Sequence, residues 1–161
     1  MIACLTKSVD DTRALASEVA GFVRAGDLIV LAGDLGAGKT AFTQGLARGL
    51  GVADAVTSPA FVLVRSYAGR LSLTHLDVYR LDHLQEVFDL GIAEIVDSGG
   101  VTVVEWGDVV TPALPADLLE VRLDHGEADD DRRLVFDTVG PSWAPRMGAL
   151  AEALNRWVAD S

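Results

Sequence analysis

Thiol chemistry is nearly absent from this sequence of 161 residues, in which Cys4 is the only cysteine. An intrachain disulfide is thereby excluded, no disulfide partner is expected, and a reducing cytoplasm suits the chain. Cys4 itself reads as a small buried hydrophobe on a first strand. Long apolar runs are missing too. None approaches the ~20 residues that span a bilayer, so no membrane association is expected. Residues 1–7 lack a basic stretch followed by an apolar core, so no secretory signal is expected. Positive charge is scarce: 13 Lys and Arg stand against 24 Asp and Glu, a formal net charge of −11. A large basic face able to neutralise nucleic-acid phosphates is not expected, and any nucleic acid in this protein's biology is held by a partner. There is no H-E-x-x-H motif and no Cys/His cluster of the kind that binds zinc. No repeat, low-complexity tract or linker divides the chain. It reads as a single domain, 1–161, of ordinary globular composition.

What is present is an alternation of helical and strand patterns. Ser8 opens a first helix with Asp11 three residues on, and Leu15, Val19, Phe22 and Val23 share its apolar face. Residues 28–32 are a short continuous apolar run, the pattern of a strand buried on both faces. A glycine-rich turn comes next, then a helix with Phe42 and Leu46 on one face that stops near Gly51. Beyond Ser58-Pro59, residues 61–67 and 71–77 read as a hairpin around Ala68-Gly69. Residues 82–90 read as a short polar helix and 101–104 as a second buried strand. Residues 118–124 and 133–139 form an antiparallel pair joined by the acidic loop 127–132. Pro145 starts a last amphipathic helix with Met147, Leu150, Leu154, Trp157 and Val158 along one stripe. Together these predict an α/β protein with three layers and a mixed, mainly parallel central sheet.

The turn after the first buried strand carries the chemistry. Gly33-Asp34-Leu35-Gly36-Ala37-Gly38-Lys39-Thr40 matches G-x-x-x-x-G-K-[ST], in the strand-to-helix setting that the motif requires. Glycines let the backbone curl until successive N–H groups point inward at anionic oxygens. The helix beyond it presents its positive end there. Lys39 supplies a point charge to the β- and γ-phosphates of a nucleotide, and the Thr40 hydroxyl is a ligand for Mg²⁺. The binding residues end at Thr40. A second threonine at position 41 does not apply, because residue 41 is Ala41. The fold expected is that of a P-loop nucleoside triphosphatase, with ATP as the nucleotide.

Magnesium needs a further oxygen ligand, and P-loop enzymes place an acid at the end of an apolar strand. Two acids qualify: Asp77 closes residues 71–77, and Glu105 closes the more apolar run 101–104. The ends of buried strands are where ligands bind in such sheets. Glu105 is the stronger candidate, as metal ligand, direct or through water, or as the group that orients the attacking water. Asp77 is the second acid, and the sequence does not divide these roles. His75 precedes Asp77 by two residues and so shares its face of the strand. It reads as a packed or hydrogen-bonded residue rather than a ligand, and His83 and His125 read as surface residues. Trp106 reads equally as core or as an anchor facing a partner.

Four motifs then fall in a recognisable order. The loop from Gly33 to Thr40, Thr57-Ser58-Pro59-Ala60-Phe61, His75-Leu76-Asp77-Val78-Tyr79-Arg80 and Glu105-Trp106 together resemble the TsaE (YjeE) family of ATPases. The family serves bacterial synthesis of threonylcarbamoyladenosine (t6A) in tRNA. The likeness covers about residues 28–115, and residues 145–161 are expected outside the shared core. The resemblance implies that ATP and Mg²⁺ bind and that hydrolysis is slow or absent in the chain alone. It implies action with the TsaB–TsaD complex, in which TsaD modifies adenosine 37 of tRNAs reading codons that begin with A. Contact with tRNA then runs only through the partners. It further implies that Lys39 and Thr40 bind phosphate and Mg²⁺, that Glu105 is the metal-site acid, and that Asp77 belongs to the catalytic site. Trp106 supports activity or partner contact, Thr57 and Ser58 lie in a switch-like loop, and Asp10 and Arg132 approach the nucleotide. One departure is visible: the family's Ser-Pro-Thr is Ser58-Pro59-Ala60 here, so no threonine hydroxyl is available at position 60.

Two other classes of protein share the phosphate loop. A small-molecule kinase needs an acceptor pocket and an arginine-bearing lid, but residues 82–98 are acidic and contain no arginine. A non-catalytic nucleotide sensor would bind without turnover. A guanine-specific enzyme is disfavoured because Asn155 is the only asparagine and no Asn-Lys-x-Asp motif exists. Asp97-Ser98-Gly99-Gly100 reads as a turn.

Overall fold

A computed structural model describes residues 1–34, 36–56, 64–77, 91–105 and 114–159. In chain order the elements are β1 (Ile2–Thr6), α1 (Val9–Val19), β2 (Asp27–Ala32), α2 (Lys39–Gly49), β3 (Val64–Tyr67) and β4 (Leu73–Asp77). These are followed by α3 (Ile92–Asp97), β5 (Val101–Glu105), β6 (Leu118–His125), β7 (Arg132–Val139) and α4 (Met147–Ala153). The strands form one sheet in the order β1-β7-β6-β2-β5-β4-β3. The four central strands, β6, β2, β5 and β4, run parallel. The β1–β7, β7–β6 and β4–β3 pairs are antiparallel. The mixed sheet with a parallel centre expected from the sequence is therefore what forms. The expected strand residues 61–63 and the expected helix 82–90 lie outside the described residues. No helix among the described residues is long and apolar enough to cross a membrane.

Every residue of β2 is buried, as its unbroken apolar run requires of a central strand. Its side chains alternate between two cores. Ile29 and Leu31 join Leu15 of α1, Phe42 and Leu46 of α2, and Leu150 and Leu154 of the C-terminal segment. Leu28 and Val30 face the other way, toward Leu76, Val104, and Ile92 and Val96 of α3. Helices thus cover both faces, giving three layers.

Helix α1 starts where the sequence places it. The Ser8 Oγ accepts from the Asp11 N–H at 3.0 Å, and the Asp11 carboxylate accepts from the Lys7 N–H at 2.9 Å. Leu15 and Val19 are buried beneath it. Helices α1 and α2 approach closely through two glycines one turn apart. A Cβ on Gly45 would stand 2.2 Å from the Arg13 carbonyl oxygen, and one on Gly49 would stand 2.6 Å from the Ser17 carbonyl oxygen.

The C-terminal segment departs from the single amphipathic helix expected after Pro145. Helix α4 ends at Ala153, and a 3-10 turn at Asn155–Trp157 succeeds it. Leu150, Leu154 and Trp157 are buried as the stripe predicts, but Val158 is exposed and extended. It forms an antiparallel bridge with Cys4, and the Ala159 N–H donates to the Ala3 carbonyl at 2.9 Å. The helical period continues in the sequence past the point where pairing with β1 captures the backbone. Cys4 is wholly buried on β1, and burial pushes its thiol up to about 11. Arg146 fixes this segment to the start of β2. Its guanidinium makes a two-pronged contact with the Asp27 carboxylate, at 2.5 and 3.0 Å, and donates to the Phe22 carbonyl. Its face also lies over the Trp143 ring.

Two consequences for stability emerge. Arg146→Ala strands the buried Asp27 carboxylate, so chemical denaturation should show a loss of about 3 kcal/mol, or roughly 10 °C in Tm. Gly45→Ala should destabilise by about 2 kcal/mol despite alanine's better helix propensity, because the added methyl meets backbone. Gly148→Ala in α4, where a Cβ meets nothing within 4 Å, should instead be neutral or stabilising by about 0.5 kcal/mol.

Candidate functional site

The chain leaves β2 at Ala32 and turns through glycines with positive φ: Gly33 at 147°, Gly36 at 80° and Gly38 at 107°. At Gly33 a Cβ would lie 2.2 Å from the Leu123 carbonyl oxygen, so both conformation and space demand glycine. Helix α2 begins directly after Gly38, with no side-chain cap and no acidic residue in its first turn. The positive end of an eleven-residue helix is left for an anion. Lys39 is 5% exposed, and its ammonium donates to the Gly33 and Asp34 carbonyls at 2.7 and 2.9 Å. The charge therefore sits at the mouth of the loop. Ala37 is buried at its base, and Leu35 lies outside the described residues. A threonine at position 41 is ruled out as a binding residue, because Ala41 occupies that place in the first turn of α2, half-buried and with only a methyl to offer. Thr40 is therefore the hydroxyl that this turn presents to a ligand.

Strand register brings the acids to the same place. Glu105 is level with Leu31 on one side and Asp77 on the other, at the carboxyl ends of three parallel strands. The pleat turns Glu105, Asp77 and His75 to the face that carries α2. Glu105 is 3% exposed, and its Oε1 accepts from the Thr40 hydroxyl at 3.4 Å. The His75 ring, wholly buried, reaches the same Oε1 from Nε2 at 2.9 Å. A carboxylate has no hydrogen to give, so Nε2 is the donor. The other ring nitrogen, Nδ1, has no hydrogen-bond partner among the described residues. His75 is thus the buried, hydrogen-bonded residue expected of it, with a partner that the sequence did not reveal. Asp77 is half-buried beside Glu105, and His125 is exposed.

Arg132 lies at the start of β7 and donates to the Gly36 carbonyl at 3.3 Å, so the structure brings it to the loop. Asp10 is exposed and paired with Arg13 at 2.9 Å. None of its described contacts reaches the loop. A polar chain unforeseen in the sequence continues from there. Arg13 Nε donates to Gln44 Oε1, and Gln44 Nε2 donates to the Val56 carbonyl, each at 3.0 Å. It ties α1 and α2 to the residue before Thr57. Thr57, Ser58, Ala60, His83 and Trp106 lie outside the described residues.

No group of three or more His, Cys, Asp or Glu side chains able to hold a metal occurs among the described residues. The donors around Thr40 are of another kind: a hydroxyl and two carboxylates, which suit a hard cation that keeps most of its water, such as Mg²⁺. They adjoin a loop whose amides and lysine suit phosphate. The site can therefore accept a phosphorylated ligand together with a divalent cation.

Comparison with known proteins agrees with this arrangement. Residues 6–134 match the family model described as threonylcarbamoyl adenosine biosynthesis protein TsaE. The chain is 40% identical over 152 residues to the Bacillus subtilis tRNA threonylcarbamoyladenosine biosynthesis protein TsaE, covering 94% of this chain and 92% of that one. It is 46% identical to the Treponema pallidum protein of the same name over 112 residues, covering 70% and 83%. The crystal structure of Bacillus subtilis YdiB superposes with a TM-score of 0.74 at 36% identity, covering 97% of each chain. With a family match running from β1 into β7, and relatives of this similarity over most of their length, the chain belongs to the TsaE family, on a P-loop fold.

Proposed function

We propose that this chain binds ATP with Mg²⁺ at residues 33–40 and hydrolyses it, in support of threonylcarbamoylation of tRNA adenosine 37 by a TsaB–TsaD complex. The observation that carries the reading is the meeting of Thr40 and Glu105. A hydroxyl at the first turn of α2 and a buried carboxylate from a neighbouring strand converge at 3.4 Å beside the phosphate loop. A structural turn has no need of a 3% exposed carboxylate there, whereas a metal–nucleotide site does. The relatives carry t6A biosynthesis in their names. The net charge of −11 favours a division of labour in which partners hold the tRNA.

The amides of the loop and the start of α2 bind the phosphates. Lys39 exchanges its carbonyl partners for phosphate oxygens. Thr40 and Glu105 would hold Mg²⁺, with Asp77 beside them, and the bound cation would supply charge neutralisation at the phosphates. Glu105 or Asp77 orients a water in line with the γ-phosphate, so that catalysis rests on position and charge rather than on a covalent intermediate. The chain alone is slow because a cation or water-positioning group arrives only with the partner. A group supplied in that way contributes ~10³ to 10⁵ in rate in comparable enzymes.

Lys39→Ala should weaken ATP binding roughly 100-fold in calorimetry, the scale of lost charge-assisted hydrogen bonds. Unchanged affinity would remove the nucleotide site. Phosphate release should rise steeply when TsaB and TsaD are added and should stay flat in Glu105→Gln. Equal rates with and without partners would remove the proposed division of labour.

A further inference from the structure

We infer that His75 is a positioning residue, whose Nε2–H holds the Glu105 carboxylate in the orientation in which it meets Thr40 and takes up Mg²⁺. The inference rests on the reading of the site given above, and it assigns to His75 no contact with the metal or the nucleotide.

Glu105 is the last described residue of β5, at the carboxyl edge of the sheet. A glutamate has three side-chain torsions to fix, and a carboxylate with 3% exposure has little water to solvate it. Among the described residues the one strong donor to it is His75. His75 and Glu105 lie on adjacent parallel strands, offset by one pleat, because Glu105 is level with Asp77 and His75 with Val103. The same pleat direction puts both side chains on the α2 face, and the ring reaches Oε1 at 2.9 Å. This is a charge-assisted bond between two buried groups in surroundings of low polarity, where such bonds are strongest. The ring is packed on every side, being wholly buried, so it fixes the carboxylate against a rigid support.

Oε1 is also the oxygen that the Thr40 hydroxyl reaches. One carboxylate oxygen thus has β4 behind it and α2 in front. Among the described residues no hydrogen bond falls on Oε2. With Nε2 committed to Oε1, and Nδ1 without a partner, the ring has no other described polar contact. Among the described residues its polar contact is therefore with Glu105 alone. Groups that orient a ligand from behind cost ~10- to 100-fold in metal affinity when removed.

The test is binding, read with a fluorescent ATP analogue in two conditions, Mg²⁺ titration and excess EDTA. His75→Ala should raise the Mg²⁺ half-saturation ~10- to 100-fold and leave analogue affinity in EDTA unchanged. His75→Gln, whose amide N–H stands near the position of Nε2, should recover most of the loss, and the shorter His75→Asn should not. In a Glu105→Gln background, His75→Ala should add nothing, since it acts through that carboxylate. A wild-type Mg²⁺ response in His75→Ala, or a loss that adds in full to that of Glu105→Gln, overturns the inference while leaving the site itself intact. A wild-type protein without Mg²⁺-dependent binding overturns the site and the inference together. If His75→Ala does not fold, the Gln and Asn variants decide the matter, and equal behaviour of the two overturns it.

Discussion

Where the backbone crosses from β2 into the loop, Gly33 lies against the Leu123 carbonyl in space that no Cβ can share. That contact exists because β6 runs parallel to β2 and immediately beside it, with Ala32 level with Arg122. The neighbouring strand therefore forms one wall of the turn, and the chain passes it only as glycine in a conformation that side chains rarely adopt. The direction of that exit decides the layout of the site. It swings the backbone over the carboxyl edge of the sheet, sets the start of α2 above the ends of β5 and β4, and puts Lys39 and Thr40 opposite Glu105 and Asp77. A parallel sheet concentrates such groups at one edge, and this one does so at the strand ends where loops are free to vary.

The opposite edge of the sheet has a different task. There Asp27 begins β2 and is held by Arg146, with Trp143 stacked on the guanidinium. Buried ion pairs are weak sources of net stability but severe penalties when broken. This one acts as a lock between the C-terminal segment and the central strand. The family match ends at residue 134, yet Leu150, Leu154 and Trp157 share a core with α1 and α2. The segment beyond the match is thus part of the same folded body. The ion pair lies at the first residue of β2 and the loop follows its last, so lock and site occupy opposite ends of one strand.

Much of this was legible in the sequence, for local reasons. The phosphate loop is a contiguous motif, β2 an unbroken apolar run, and Ser8 with Asp11 a cap read over four residues. The acids Asp77 and Glu105 were legible as strand ends, and the pleat put His75 on the same face as Asp77. What stayed hidden depended on register between distant segments. Nothing local says that β4 pairs with β5 so that His75 reaches Glu105, or that Arg146 finds Asp27 across 119 positions. The requirement for glycine at positions 45 and 49 likewise appears only with the close approach of α1. Hydrophobic period alone extends the last helix too far, because it cannot register the pull of a strand edge on Val158. Trp106 and the switch-like residues Thr57, Ser58 and Ala60 lie outside the described residues, so the departure at Ala60 stands as the sequence left it.

That pull has a further effect. β1 is an outer strand, and outer strands offer unpaired backbone groups to any other strand that meets them. Here the chain's own tail covers part of that edge, through the bridge from Val158 to Cys4 and the bond from Ala159 to Ala3. The tail thereby shortens the stretch of β1 open to another strand. Any truncation, fusion or protease cut that frees it leaves a sticky seam on the surface and loosens the cover over the molecule's single thiol.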